Sequence, residues 1–365
     1  MLQWQKNYNA HLTMRENWPY VVTLLIAWLT ADLLVPVVCR FAHKVGKVDK
    51  PGTRKIHTAP IPRMGGIAIC LGFFLSLLGI EYLHPGYFSL LPGEWKGMML
   101  GGVMIFMLGL TDDLLDIPAK VKLAGQIVAA ATAFWFGVKL SFISNPMGGL
   151  FLFPEWLSFI LTVFWLVGIT NTINLIDGLD GLAGGVSTIA GLTLFMLALE
   201  RNQGLSALVA IALVGGTIGF LRYNFNPAKI FMGDCGSLFL GFMLGSLSLT
   251  GAMKVAATVA VFLPILILGI PIFDTTFAIV RRLATGKPIF QADRGHLHHR
   301  LLNIGLSQRR AVLLIYGFST LLGGVALYLV KYSQAKTLIM VSLMLMLWGL
   351  IDLRNFWPRR SEENP

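Results

Sequence analysis

The sequence predicts an all-α membrane protein that crosses the bilayer many times. Hydrophobic residues make up 55% of the chain and charged residues 13%, and the mean hydropathy is +0.71. A soluble domain carries about 25% charged residues, whereas apolar runs of about 20 residues have the length of a membrane-spanning helix. This composition excludes a soluble enzyme and leaves nucleic-acid binding a weak alternative, despite the net charge of +11.

Eleven apolar segments follow one another along the chain. The first follows a polar N-terminus and has no small-residue cleavage pattern behind it, which predicts a permanent helix and not a signal peptide. The segments are 18–39, 64–83, 95–111, 121–139, 156–173, 182–199, 204–221, 235–252, 255–281, 311–330 and 335–352. The third and fourth are short or glycine-rich, so a count of ten stays open. The predicted domain limits are 1–17 for an extracytoplasmic segment, 18–352 for one transmembrane catalytic domain and 353–365 for a cytoplasmic tail.

Lysine and arginine predict the orientation, because cytoplasmic loops carry an excess of them. Of the 29 such residues, seven lie in 40–63 and seven in 281–310. With the loops 111–122 and 222–234 and the tail after 351, one side receives 21 and the other side 8. This partition places the N-terminus outside and the C-terminus in the cytoplasm.

Three carboxylates close the third segment, at Asp112, Asp113 and Asp116. Spacing of three or four residues on a helix puts Asp116 on the same face as the pair. Like charges this close repel unless a cation or a proton offsets them, and acids at an apolar boundary are costly without a function. The alternative interpretation is a solvated helix end.

A second motif, Asn174 to Gly181, follows the fifth segment and contains two Asp-Gly steps, at Asp177 and Asp180. Glycine permits backbone shapes that other residues resist, and Asn and Asp supply hard oxygen ligands. A plain turn between helices needs one such signal, so this density favours a ligand-binding turn.

A third motif runs from Asn224 to Asp234 and includes Lys229 and Phe231. Asp234 stands where a helix is predicted to start, so a helix cap is an equal alternative for it. Mg²⁺ usually takes one or two carboxylates plus phosphate oxygens of the substrate, and Asp234 suits that function.

The fourth motif groups three of the seven histidines, His296, His298 and His299, directly before Arg300. Zinc is an alternative, but no cysteine cluster accompanies them. Imidazole and guanidinium donors that bind phosphate fit better, and a solvated basic loop is the remaining alternative. Asp274, inside an apolar segment, is a weaker functional candidate.

All four motifs fall in loops predicted to lie on the cytoplasmic side. Carboxylates, amides, cations and imidazoles at one membrane interface are what a metal-dependent enzyme acting on phosphates needs.

With these motifs in this order, the chain resembles the polyprenyl-phosphate N-acetylhexosamine-1-phosphate transferases, over about residues 40–305. The resemblance implies ten or eleven helices, a cytoplasmic active-site cleft and dependence on Mg²⁺, with Mn²⁺ as a substitute. Members transfer a sugar 1-phosphate from a UDP-sugar to a polyprenyl phosphate lipid, release UMP and often form homodimers.

The resemblance also implies residue functions. Asp112 and Asp113 match the paired catalytic aspartates, one of them as a base toward the lipid phosphate or, alternatively, as a covalent nucleophile. Asn174 and Asp234 match the metal ligands. The matched substrate-binding residues are Lys122, Asp177, Gly178, Leu179, Asp180, Asn224, Phe231, His296, His298, His299 and Arg300.

Two segments, Pro60 to Gly66 and the His-Leu-His-His loop, resemble those of one branch of the family, the bacterial undecaprenyl-phosphate GlcNAc-1-phosphate transferases. This resemblance implies a location in the bacterial inner membrane. That branch starts O-antigen, common antigen or teichoic acid synthesis. Another UDP-N-acetylhexosamine, or the phospho-MurNAc-pentapeptide donor, is the alternative. Outside the class, a membrane prenyltransferase would not need the histidine loop, and a transporter would carry its polar groups near mid-membrane.

We expect residues 112–116, 171–181, 222–234 and 281–310 to be cytoplasmic, because of the partition of basic residues. Single-cysteine variants, made after replacing Cys39, Cys70 and Cys235, should react with a membrane-impermeant thiol reagent only after the cells are permeabilised. A cysteine placed between 140 and 155 is the control that should react in intact cells. Labelling of any motif loop from outside would contradict the shared site.

Overall fold

Helices of apolar sequence form most of the structure. The computed structural model describes residues 17–49, 60–85, 88, 92–144, 150–250, 262–284 and 297–331. Within these ranges there are twelve helices, and seven of them are long and apolar enough to cross a membrane. The predicted class, an all-α polytopic membrane protein, is confirmed, whereas the count of eleven spans is not.

The helices, in chain order, are α1 Trp18–Lys44, α2 Gly66–Leu83, α3 Gly93–Leu115, α4 Ala119–Trp135, α5 Glu155–Ile176, α6 Leu182–Glu200, α7 Gly204–Asn224, α8 Asp234–Thr250, α9 Phe262–Ile267, α10 Gly269–Ala284, α11 Leu297–Asn303 and α12 Gln308–Lys331. Two short antiparallel ribbons accompany them, β1 Val48–Asp49 with β2 Ile61–Pro62, and β3 Phe142–Ser144 with β4 Leu150–Leu152.

Helix α8 lies at the centre of the bundle. Its residues from Cys235 to Thr250 are all buried, and α2, α3, α5, α6 and α7 pack around it. Glycines let these backbones approach, as small residues do at helix interfaces in membranes. A Cβ atom on Gly109 of α3 would lie 2.5 Å from the Asp234 carbonyl oxygen, and one on Gly241 would lie 2.7 Å from Thr170 Cα. The start of α8 is therefore fixed against its neighbours.

Helices α1, α2 and α7 form a second closely packed group. A Cβ atom on Gly215 of α7 would lie 2.7 Å from the Leu24 carbonyl oxygen, and one on Gly219 would lie 2.5 Å from that of Trp28. Asp32 of α1 accepts two hydrogen bonds of 2.9 Å from the Arg222 guanidinium on α7. This ion pair gives Asp32 a structural function.

The predicted segment 255–281 is wrong as a single helix, because its described part divides into α9 and α10 at Leu268. Pro271 has no N–H and cannot bond to the Ile267 carbonyl, so the α-helical pattern is interrupted there. The predicted eleventh segment, 335–352, lies outside the described residues, as do 1–16 and the tail 353–365. Segments 95–111 and 121–139, whose lengths were in doubt, correspond to α3 and α4.

We expect Gly66→Ala to destabilise the protein strongly. A Cβ atom on Gly66 would lie 2.1 Å from the Gly236 backbone nitrogen, so α2 and α8 would have to separate. Overpacking of this kind costs about 1–3 kcal/mol or more. Gly168→Ala in α5 is the matched control, because nothing lies within 4 Å of its added Cβ. Melting temperatures in one detergent would test this, and an unchanged value for Gly66→Ala would contradict the close approach.

Candidate active site

Several helices end or begin at one end of the bundle, which we call the motif end. Among them, α3, α5 and α7 finish there and α4, α6 and α8 start there. A cleft of about 700 Å³ opens at the motif end. The residues that line it are Asp49, Ile61, Arg63, Asp112, Asp113, Asp116, Asn174, Asp177, Gly178, Leu179, Asp180, Asn224, Asn226, Pro227, Ala228, Phe231, Gly233, Asp234, His299 and Gln308. All four predicted motifs therefore contribute to one site.

Asp113 holds the start of α8. Its two carboxylate oxygens accept hydrogen bonds from the backbone N–H groups of Asp234, at 2.8 Å, and Cys235, at 3.0 Å. Such N–H groups have no partner within their own helix, and a carboxylate satisfies them and favours the positive end of the helix. Gly233 has φ +73°, and a Cβ atom there would lie 2.6 Å from Asp113, so glycine suits this position for two reasons.

Asp112, next to Asp113, has a different environment. Its Oδ2 accepts from Lys122 Nζ at 3.1 Å, and the same ammonium donates to Asp234 Oδ2 at 2.9 Å. Lys122 therefore bridges a carboxylate of α3 and a carboxylate of α8. A cation between two carboxylates offsets their repulsion.

Asn174 connects the end of α5 to the same group. Its Nδ2 donates to Asp234 Oδ1 at 3.1 Å and to Ser237 Oγ at 2.8 Å. Both Asp234 oxygens thus bind side chains of other helices. The structure places Asp234 at the first residue of α8, but Asp113, and not Asp234, supplies the cap.

Asp177 follows the last residue of α5 and lines the cleft. Burial, together with the negative charges of Asp234, Asp113 and Asp180, raises the pKa of Asp177 to about 7. Near neutral pH this carboxyl group is therefore divided between its charged and neutral forms. The cleft holds more negative charge than its described side chains offset, which is an environment that favours a cation.

The turn from Asp177 to Gly181 is held by two other helices. Gly181 has φ +79°, and its N–H donates to Asn224 Oδ1 at 3.0 Å, while Asn224 Nδ2 donates to the Ile230 carbonyl at 2.8 Å. On the other side, the Tyr316 hydroxyl of α12 donates to the Gly181 carbonyl at 2.5 Å. Both backbone polar groups of Gly181 are thereby paired.

Asp180 and the residues after α7 form a polar wall of the cleft. Asp180 Oδ2 accepts from Asn226 Nδ2 at 2.9 Å and from the Ala228 N–H at 3.0 Å. Asn226 Nδ2 also donates to Gln308 Oε1 at 3.0 Å. The first residue of α12 is therefore part of the site.

The β1–β2 ribbon and the residue after it, Arg63, form another part of the cleft wall. Arg63 pairs with Asp49 at 3.0 Å, and Lys47 lies 3.6 Å from Asp116. The segment after β2 joins the third motif through the backbone, since Phe231 N–H donates to Pro62 O and Gly65 N–H to Phe231 O. This pairing positions Phe231 in the cleft wall.

Of the histidine motif, His299 reaches the cleft. It lies on α11, together with Arg300. His296 lies outside the described residues, as does the side chain of His298. Asp274 of α10, 7% exposed, accepts a hydrogen bond of 2.7 Å from the Leu297 N–H at the start of α11.

Comparison with known proteins identifies the family. The model of glycosyl transferase family 4 matches residues 95–252. A probable undecaprenyl-phosphate N-acetylglucosaminyl 1-phosphate transferase of Bacillus subtilis is 44% identical over 296 residues, 81% of each chain. The chain belongs to glycosyl transferase family 4. The family predicted from the motifs is therefore confirmed.

Two further relatives have related names. A decaprenyl-phosphate N-acetylglucosaminephosphotransferase of Mycobacterium tuberculosis is 38% identical over 305 residues, 75% of this chain and 74% of its own. An undecaprenyl-phosphate alpha-N-acetylglucosaminyl 1-phosphate transferase of Escherichia coli is 29% identical over 316 residues, 85% of this chain and 84% of its own.

Most predicted site residues of this family 4 chain come together. Lys122 does not line the cleft but binds two carboxylates that do. The predicted site left out nine residues that line the cleft, and the polar ones among them are Asp49, Arg63, Asp116, Asn226 and Gln308. Arg63, Asp116 and Asn226 lie inside motifs described above and could have been predicted as site residues. The sequence around Gln308 contains no motif that would have indicated a site.

A hard divalent cation fits this donor set. Asp112, Asp177 and Asp234 bring carboxylate oxygens to one cleft, where burial and the negative charges of Asp234, Asp113 and Asp180 raise the pKa of Asp177. Within the described ranges, no three Asp, Glu, His or Cys side chains are grouped closely enough to enclose a metal by themselves. Mg²⁺ commonly uses one or two carboxylates and completes its shell with substrate phosphates and water.

We expect Asn224→Asp to destabilise the site region. The change keeps an acceptor for the Gly181 N–H but replaces the donor to Ile230 O by a charged oxygen, in a residue only 2% exposed. Losing a buried donor costs about 1–3 kcal/mol, and more when a charge is left there. Asn202→Asp, in an exposed turn, is the matched control and should change little. Equal melting temperatures for the two variants would contradict the bridging function of Asn224.

Proposed function

We propose that the protein transfers GlcNAc-1-phosphate from UDP-GlcNAc to undecaprenyl phosphate and releases UMP, which starts the synthesis of a lipid-linked cell-envelope glycan. The Lys122 bridge between Asp112 and Asp234, two carboxylates that line a cleft at the helix ends, carries this proposal. Family membership supports it, as do the names of the Bacillus subtilis and Escherichia coli relatives.

The location of the cleft suits the two substrates. The acceptor has an apolar tail that stays in lipid and a phosphate at the membrane surface, so its reaction must occur where helices end. The positive-inside partition supports a cytoplasmic cleft in a bacterial inner membrane. The homodimer implied by the resemblance stays a prediction.

In the proposed reaction, an oxygen of the lipid phosphate attacks the phosphorus next to the sugar. The bond from that phosphorus to the bridging oxygen breaks, and UMP leaves with the bridging oxygen. Asp112 is the better placed base. Asp113 is 8% exposed and gives both oxygens to backbone N–H groups of α8, whereas Asp112 gives one oxygen to the Ile117 N–H and the other to the Lys122 ammonium. Asp112 would take the proton of a singly charged lipid phosphate, and Lys122 beside it would attract the anionic reactants.

Asp234 and Asn174 would hold Mg²⁺, with Mn²⁺ as a substitute. The ion would screen the repulsion between the diphosphate and the lipid phosphate and stabilise the charge that develops on UMP. His299 would donate to the donor diphosphate from the α11 side, with Arg300, His296 and His298 as the other matched residues. Asp177, Gly178, Leu179, Asp180, Asn224 and Phe231 would contact the nucleoside.

UMP release from a panel of UDP-sugars, with undecaprenyl phosphate in detergent, tests the proposal. We expect UDP-GlcNAc to be the preferred donor and turnover to require a divalent cation. If the protein uses UDP-MurNAc-pentapeptide and does not use UDP-GlcNAc, the proposed donor is wrong but the proposed class of reaction still holds. No UMP release with any donor would overturn the class itself.

We expect Asp234→Asn to abolish turnover while the protein stays folded. The asparagine keeps the shape of the side chain but removes the charge that Lys122 and Asn174 contact. Loss of a metal ligand removes stabilisation that the transition state needs, and the rate should fall at least about 100-fold. Asp32→Asn, which removes a charge from a helix pair away from the cleft, is the control. Normal turnover of Asp234→Asn would rule out a metal-ligand function.

A further inference from the structure

Asp274 is a buried carboxylate that none of the assigned site functions uses. It lies on α10 and is 7% exposed. A small apolar void beside it is lined by side chains that include Ile176, Leu182 and Leu297. An ionised group in such surroundings is costly unless it is hydrogen-bonded, so its contacts should have a function.

One contact of Asp274 reaches the element that carries the histidines. Its Oδ1 accepts from the Leu297 N–H at 2.7 Å, and Leu297 is the first residue of α11. The N–H groups of the first turn have no partner within a helix, so this carboxylate, supplied by a different helix, satisfies one of them. Hydrogen bonds to a charged acceptor are about twice as strong as neutral ones.

His299 follows this contact closely on the same helix. Residue 299 is two positions after Leu297 on α11, and its side chain lines the cleft. Leu297 also lines the void with Ile176 and Leu182, which directly flank the turn from Asp177 to Gly181. A seven-residue helix is too short to be stable alone, so its position depends on such attachments.

We propose that Asp274 is a positioning residue that anchors the start of α11, so that His299 faces the cleft. Its kinetic consequence rests on the proposed function, in which His299 donates to the diphosphate. Asp274 itself touches no substrate. Loss of the anchor displaces the imidazole without removing it, and displacements of about 1 Å can cost about 100-fold in rate.

The first test needs no activity. Hydrogen–deuterium exchange of residues 297–303 in the detergent-solubilised protein should become faster in Asp274→Ala. It should stay near the wild-type rate in Asp274→Asn, whose side-chain oxygen still accepts the Leu297 N–H. Leu297→Pro removes the same bond from the donor side, and proline suits a first helical position. Leu297→Pro therefore replaces Asp274→Ala in this test if Asp274→Ala does not fold, and it should also make the exchange of residues 298–303 faster. Unchanged exchange in these variants would overturn the anchor.

The second test is a double-mutant cycle with His299→Ala, measured as UMP release. We expect Asp274→Ala to lower kcat/KM about 10- to 100-fold, and Asp274→Asn to restore it to within about threefold. Because Asp274 acts through His299, the double variant should be no slower than His299→Ala alone. Multiplied losses in the double variant would overturn the proposal. An equal loss in Asp32→Ala, which breaks the ion pair between α1 and α7, would also overturn it.

If the wild-type protein releases no UMP from any UDP-sugar, the proposed function fails, while the exchange experiment still decides whether Asp274 anchors α11.

Discussion

The site depends on the two hydrogen bonds that Asp113 accepts from the first two backbone N–H groups of α8. They fix the end of α3 against the start of the most buried helix, at distances of 2.8 and 3.0 Å. Once these two ends are joined, Asp112 and Asp234 are close enough to share Lys122. The glycines at 66, 109 and 236 are part of the same constraint, because larger residues would keep the backbones of α2, α3 and α8 apart, and a larger residue at 233 would collide with the Asp113 carboxylate.

The site concentrates like charges where the surrounding helices are apolar. Such a cluster is stable only if each carboxylate has compensating partners. Asp113 has two N–H groups, Asp112 and Asp234 share an ammonium, and Asp180 accepts from Asn226 and Ala228. Asp177, whose pKa rises to about 7, is the carboxylate left with the least compensation. Most of these carboxylates are therefore held by hydrogen bonds within the protein. The negative charge that is not offset, at Asp177, faces the cleft that substrates would enter.

The helices and the shared motif end were predictable, because apolar runs and the motifs that follow them are local signals. The difference between Asp112 and Asp113 was not, because adjacent residues of identical chemistry point to different neighbours only once α8 is in place. Gln308 and Tyr316 were missed for a similar reason, since their contacts depend on where α12 packs. The break at Leu268 could have been inferred from Pro271, but the strong apolar run concealed it.

The hydrogen bond from the Tyr316 hydroxyl to the Gly181 carbonyl has a consequence for the order in which the site forms during synthesis of the chain. Chains are made from the N-terminus, and their early parts fold first. The turn from Asp177 to Gly181 is therefore synthesised more than a hundred residues before the tyrosine that completes its hydrogen bonds. Until α12 enters the membrane, the nascent protein holds the acidic residues of its first three motifs without the partner that closes the turn. The turn of the cleft is thus complete only after the chain has been translated through α12.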